Sequence, residues 1–364
     1  MFEKTNDHIG KNNQHSFLTS YSSDKIRVVS FISIVLVLYI HCGFHETAGE
    51  IAGMTGNILL QDAISSKIAR TAVPMFFMIS GMLFFRNITC MNDVWHKMKK
   101  RARTLLVPYL IAALFLPAVY ALMSFLPWTA RFVNSSDGGS VFSLPLPDML
   151  MSLYVAVPGS AESSGFHLWF LRDLIIIVVL SPVLYEIRKR IGGGILLIIL
   201  FALSFMPIKL PVVTSAFWFI AGDVFLLHLS TRHKWVWLAV YVVLCIAEVL
   251  FHSVVWEWIG IPIIFVGVAA LWNLYDMIAG PTFRLSDSML LAYSCQLTFF
   301  IYLYHEPTLN IVRKLLLVPL GKSSLSFAAI YLVAPWIFLL LIIPTGLLMR
   351  RYLRGFYEIL VGGR

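Results

Sequence analysis

The chain has 364 residues, 59% of them hydrophobic and 13% charged, and carries a formal net charge of +9 at a mean hydropathy of +0.81. Soluble globular domains hold about a quarter charged residues, so this composition excludes an ordinary water-soluble fold and leaves the lipid bilayer as solvent. In a soluble protein the positive excess would point to nucleic acid; here the basic residues fall in short connections between apolar runs and read as membrane topology, with no nucleic-acid partner expected.

Residues 1–24 are polar and lack the apolar stretch of a cleavable signal, so the first membrane helix is expected to remain as an anchor behind a cytoplasmic tail. Continuous apolar runs then predict spans near 28–45, 71–86, 104–125, 167–187, 193–208, 212–229, 235–252, 259–276, 287–304 and 325–349. Continuity, where a barrel would alternate, selects helices. With the N-terminus inside, twenty Lys and Arg fall on the cytoplasmic side and seven on the outer side, with Arg172 inside a span. That asymmetry supports an all-α polytopic bundle of about ten transmembrane helices with both termini cytoplasmic. The expected organisation is a tail over 1–24, a transmembrane domain over 25–354 and a C-terminal tail over 355–364.

The fifth span is the weakest, because Gly192, Gly193 and Gly194 open it and Pro207 and Pro211 close it, which leaves a re-entrant hairpin as an alternative. Between the third and fourth spans, Asn134 to Ser140 reads as a flexible outer loop and 148–156 as an interfacial stretch. Cys42, Cys90, Cys245 and Cys295 are scattered and suggest neither a disulfide framework nor a metal site.

In span one, Arg27 and His41 stand fourteen residues apart, which places them about 40° apart on one helix face and roughly 21 Å along the axis. Ionisable groups at membrane depth are expensive and default to functional hypotheses. His41 therefore reads either as a working imidazole or as a hydrogen-bonded interior histidine, and Arg27 as a second candidate beside its topological role. Span two opens on Arg70, at a depth comparable with His41 if the two helices are antiparallel, and the two are expected to share a site. Ser80-Gly81 in the same span reads as a close-packing spot in preference to a nucleophile.

The loop expected after span two carries Lys97, Lys99, Lys100, Arg101 and Arg103, five cations in seven residues. Orientation alone needs fewer; a phosphate-rich ligand or anionic headgroups would suit the rest. Span four begins with His167, Trp169 and the pair Arg172-Asp173, where the imidazole and guanidinium either line a polar cavity or belong to the interface. Glu248 and His252 in span seven share a face at i,i+4, as a structural hydrogen bond or a proton relay. Span nine ends in Tyr302, Tyr304, His305, Glu306 and Pro307, an outer cap or a further part of the site.

Taken together, Asp24–His41, Arg70–Phe85, Lys99–Tyr109, His167–Leu171 and Ser294–Pro307 resemble, in order and across nearly the whole chain, the acyltransferase 3 family of integral membrane acyltransferases. The resemblance implies transfer of an acyl group, most often acetyl from cytoplasmic acetyl-CoA, to a hydroxyl on a surface or lipid-linked carbohydrate. It implies catalytic roles for His41, Arg27 and Arg70, donor binding by Lys99, Lys100, Arg101 and Arg103, and acceptor contacts from His167, Arg172, Glu248, Tyr302 and His305. The partners it implies are the bilayer, an acyl-CoA and a carbohydrate or glycolipid acceptor, with no resident cofactor or metal. One departure stands out. The family pairs its arginine and histidine at i,i+11, a position occupied here by Ser30, whereas Arg27 lies one turn earlier, about 4.5 Å further along the axis. Direct transfer and a covalent acyl-enzyme are both open at this stage, as are an exporter built on the same bundle and a partner protein that has lost activity.

Overall fold

The computed structural model describes residues 19–44, 55–130, 145–152, 165–206, 211–229, 233–250, 255–279 and 283–363. Among them the regular structure is helical throughout. Five helices are long and apolar enough to cross a membrane: Gly56–Phe85, Met91–Phe125, Phe166–Ile191, Ile259–Ile278 and Ser324–Tyr352. Of the expected features, the N-terminal tail up to residue 18, the loop Asn134–Ser140 and His252 lie outside the described residues.

Helix α1 (Ser20–His41) starts where the Thr19 hydroxyl accepts the Ser22 amide at 3.1 Å, a side-chain cap for one of the free N–H groups of a helix start. Its first turns are tied to α8 (Val255–Ile278) through Asp276, which accepts from Tyr21 at 2.5 Å and pairs with Lys25 at 2.5 Å. Asp24 in turn accepts the Leu285 amide at 3.0 Å. Lys25 is buried and lies over the Trp272 ring, so its charge is matched by a carboxylate and an aromatic face.

The expected second span is the last part of a longer helical run, in which a π-helical stretch, Asp62–Ile68, and a short 3-10 turn precede α2 (Ala72–Phe85). Helix α3 (Met91–Phe125) begins under a cap in which Asp93 accepts the Thr89 and Cys90 amides at 2.9 and 3.1 Å. The cations from Lys97 to Arg103, expected in a loop, therefore occupy its opening turns. The physical reason is that nothing in 91–103 breaks a helix, and the carboxylate cap starts one well before the apolar run.

Helix α4 (Trp169–Ile191) ends at Gly192, whose φ of 86° only glycine adopts readily. Its successor α5 (Gly193–Leu203) has eleven residues, a reach of about 16 Å against a hydrocarbon core of roughly 30 Å. Helix α6 (Pro211–Phe225) packs on α2 at very close range. A β-carbon on Gly81 would lie 1.8 Å from the Phe219 carbonyl oxygen, and one on Gly222 would lie 1.9 Å from that of Met78. This reciprocal contact bears out the close-packing reading of Gly81 and adds Gly222 to it.

Helix α7 (Lys234–Leu250) packs on α8. The ninth apolar run is broken at Leu297 into α9 (Met289–Gln296) and α10 (Thr298–Tyr304), followed by a cis Glu306–Pro307 bond and an additional helix, α11 (Thr308–Leu320). The long α12 (Ser324–Tyr352) leads into α13 (Arg354–Leu360). Within the segment 355–363, expected as a tail, Tyr357, Leu360 and Val361 are buried, and Tyr357 meets the Phe300 ring.

Because the α2–α6 crossing leaves no room for one methyl group, Gly81→Ala and Gly222→Ala should each destabilise by about 1–3 kcal/mol. Gly260→Ala, where nothing lies within 4 Å of the added carbon, should not. Thermal unfolding of the purified protein in detergent checks the contrast.

Candidate active site

At the end of the bundle where α1 begins, a cavity of about 630 Å³ opens between α1, α3, α4 and α10. Four cations line it: Arg27 from α1, and Lys97, Lys100 and Arg101 from α3. Lys97 and Arg101 stand at i,i+4 with Thr104 one turn on, so a single α3 face carries them inward. Lys97 donates to the Phe84 carbonyl at 2.8 Å and to the Arg86 carbonyl, closing off the C-terminal end of α2. The Arg101 guanidinium lies over the Phe84 ring, 5.6 Å from its centre, and reaches the Ser80 carbonyl at 3.5 Å.

The expected donor-binding set therefore divides. Arg101 and Lys100 line the cavity, and the exposed Lys100 also lines, with Lys99, Arg103 and His96, a shallow surface depression beside it. The helical period accounts for the split, since residues 99, 103, 106 and 110 share the outward stripe that turns apolar at Leu106 and Leu110. Arg27 joins the cavity cations, at the opposite end of α1 from His41.

The inner wall of the cavity includes Tyr302, and Tyr302 leads directly to the histidines. Its hydroxyl accepts the Leu171 amide at 3.4 Å and approaches the His167 carbonyl at 3.5 Å. Its own carbonyl lies 2.6 Å from Nδ1 of His305. The His305 ring stands edge-on to His41, with centroids 4.9 Å apart, and to His167, with centroids 5.3 Å apart. Three imidazoles from α1, the turn before α4 and the end of α10 thus form one cluster, with Phe166 packed against His41 at 6.1 Å. His167 and His305 are buried, and Nε2 of His305 has no hydrogen-bond partner among the described residues. The His41 ring is turned into the protein.

Arg313 of α11 fixes the end of α1. Its guanidinium donates to the carbonyls of His41 at 3.0 Å and Gly43 at 2.5 Å while lying over the Phe44 ring. Carbonyls at a helix C-terminus have no partner within the helix, and a cation there also meets the negative end of the dipole. With Arg313 and His41 272 positions apart, no local spacing could have signalled the pairing.

Arg70 stands elsewhere. Both its terminal nitrogens bind Glu248, at 2.9 and 2.6 Å, and Lys67 approaches the same carboxylate at 3.2 Å. Tyr241 donates to the Lys67 carbonyl at 2.8 Å. Among the described contacts none joins Arg70 to His41: a bidentate carboxylate engages both terminal nitrogens of the guanidinium at its own helix junction. Glu248 belongs to this ion group and not to the histidine cluster. Arg172 pairs with its neighbour Asp173 at 2.9 Å, and Asp173 accepts from Ser215 at 2.9 Å, a link from α4 to α6. Of the expected acceptor contacts, then, the structure gathers His167, Tyr302 and His305 around His41 and holds Arg172 and Glu248 in ion pairs of their own.

No solved structure matches the chain. Among curated proteins it is 24% identical over 366 residues to the succinoglycan biosynthesis protein ExoH of Rhizobium meliloti (strain 1021), an alignment that covers 94% of this chain and 92% of that relative. An acyltransferase domain matches residues 24–349, which take in the basic cavity residues of α1 and α3 and all three clustered histidines, and the chain belongs to this family of membrane acyltransferases.

Proposed function

We propose that the protein transfers an acyl group, acetyl in the first instance, from a cytoplasmic acyl-CoA to a hydroxyl of a cell-surface or lipid-linked carbohydrate, from within the bacterial plasma membrane. The observation that carries this reading is the chain of contacts that runs from the basic cavity through Tyr302, which lines it, to the three histidines packed behind it. Coenzyme A is elongated and anionic at one end, with its thioester at the other, and a cavity with four cations at its mouth matches that distribution. The relative in succinoglycan biosynthesis supports a carbohydrate acceptor. An exporter would need these cations only for orientation, and their turning inward toward a cavity favours the donor reading.

A thioester is already an activated acyl donor, whereas a sugar hydroxyl is a weak nucleophile until its proton is removed. In the proposed step a nitrogen of His41 takes that proton as the hydroxyl oxygen bonds to the acyl carbon. The carbon–sulfur bond then breaks, and the departing thiolate takes the proton back from the imidazolium, so His41 returns to its starting state. His305, held through Nδ1 by the Tyr302 carbonyl, sets the orientation of the His41 ring. Arg27, Lys97, Lys100 and Arg101 hold the donor phosphates. Arg70 acts through its ion pair with Glu248, holding the acceptor end of the bundle in shape.

Radiolabelled acetyl-CoA and extracted glycan, incubated with the purified protein, provide the assay. His41→Ala should lower transfer by at least about a hundredfold while leaving thermal unfolding and coenzyme A affinity near wild type. Normal product from that variant rules out the assignment. Arg101→Ala should raise the KM for acetyl-CoA roughly tenfold, the loss of one charge-assisted contact, with little change in kcat. Arg103→Ala, on the outward face, should leave both constants within about twofold.

A further inference from the structure

The C-terminal segment reaches the cavity that the proposed function assigns to the donor. Helix α13 ends at Leu360, followed by the buried Val361, and the chain then turns through Gly362 and Gly363 at φ values of 69° and 73°. Both glycines line the same cavity as Arg27, Lys97, Lys100 and Arg101. The turn is closed by hydrogen bonds from the Gly362 amide to the Ile359 carbonyl at 3.3 Å and from the Gly363 amide to the Glu358 carbonyl at 2.7 Å. It is also pressed against the cation-bearing helix: a β-carbon on Gly362 would lie 2.1 Å from the Thr104 carbonyl oxygen and 3.0 Å from the Pro108 ring. Gly363 differs, with nothing within 4 Å of its missing side chain.

Two further contacts tie this segment to the element that carries His305. Tyr357 packs on Phe300, with centroids 5.6 Å apart, and the Tyr304 hydroxyl reaches the Leu360 carbonyl at 3.5 Å. The segment thus touches α3 on one side and α10 on the other, the two helices that bound the cavity at its cations and at Tyr302.

We infer that residues 354–363 form a wall of the acyl-donor site, in which the Gly362–Gly363 turn lies beside the bound coenzyme A phosphates and keeps that edge of the cavity free of side chains and negative charge. This rests on the donor reading of the cavity. Glycine is required at 362 for two separate reasons, the left-handed backbone and the contact with α3. At 363 only the backbone conformation and the space beside the cations matter. A side chain at 363 therefore meets open space at the edge of the cavity without forcing α3 to move.

The test uses the full-length protein in detergent and coenzyme A itself as the probe, with affinity measured by calorimetry. Asn and Asp both tolerate a left-handed backbone and are nearly equal in shape, so Gly363→Asp against Gly363→Asn isolates one negative charge. The Asp variant should bind coenzyme A about five- to tenfold more weakly than the Asn variant. The gap should shrink at high salt, and kcat at saturating donor and the KM for acceptor should agree between the two. Gly362→Ala, if it folds, should also raise the coenzyme A Kd, because the turn must retreat from Thr104. Equal affinities in the Asp and Asn variants, with wild-type protein binding coenzyme A normally, overturn the wall. Wild-type protein that binds no coenzyme A overturns the donor reading of the cavity instead.

Discussion

A helix that ends inside a lipid-embedded bundle leaves up to four carbonyl groups without water to satisfy them, and this constraint organises the candidate site. Two helices end in this way next to functional side chains, and each is closed by a cation from another helix, one far off in sequence and one on the helix that follows. Arg313 donates to the carbonyls of His41 and Gly43 at the end of α1, and Lys97 to those of Phe84 and Arg86 at the end of α2. The first capping fixes the backbone that presents the His41 imidazole. The second draws the start of α3 onto α2, which turns Arg101 toward the Phe84 ring and into the cavity. Satisfying the backbone and building the site are in this sense one arrangement.

The same helix α1 is held at both ends. Asp276 and the Leu285 amide engage Tyr21, Lys25 and Asp24 at its start, and Arg313 engages its finish. A rod fixed in this way keeps a constant separation between the cations near its first turns and the imidazole at its last. An elongated donor needs such a separation, because its phosphates and its thioester have to be received at different depths at the same time. Close packing of α2 on α6 through Gly81 and Gly222 supports the opposite side of the cavity, where Ile79, Ser80 and Leu83 of α2 line it.

Much of this was legible in the sequence, and the limits have physical causes. Hydropathy located the apolar runs because membrane helices need about twenty such residues each, and Gly81 was readable as a packing residue because small side chains let helices approach. His41 was singled out as an ionisable group at membrane depth, and His167 and His305 separately as outer-side candidates, but composition cannot say that the three converge. Helical period in α3 was available in the sequence, yet it became informative only once residues 91–103 were seen to be helical and not a loop. The Arg70–Glu248 pair was missed because both residues were read against their neighbours along the chain, His41 by depth and His252 by spacing, while 178 residues separate the real partners. The break at Leu297 and the packing of the C-terminal residues left no local mark, since α10 and α13 are apolar on faces that suit lipid and protein equally.

The displaced arginine of α1 has a structural account that follows from these constraints. Ser30, the position eleven residues before His41, and Arg27, three residues earlier still, both line the basic cavity. Residues three apart share a helix face, so moving the cation from one position to the other shifts it about 4.5 Å along the axis without turning it away from the cavity. At Ser30 a guanidinium would stand deeper, closer to Tyr302 and the histidines; at Arg27 it stands at the mouth among Lys97, Lys100 and Arg101. The exchange leaves a small hydroxyl on the Tyr302 side and adds a charge where an anionic donor would enter. In the proposed reaction Arg27 works with the cations of α3 in holding phosphate, and the proton chemistry at the far end of the helix falls to His41 with His305 beside it.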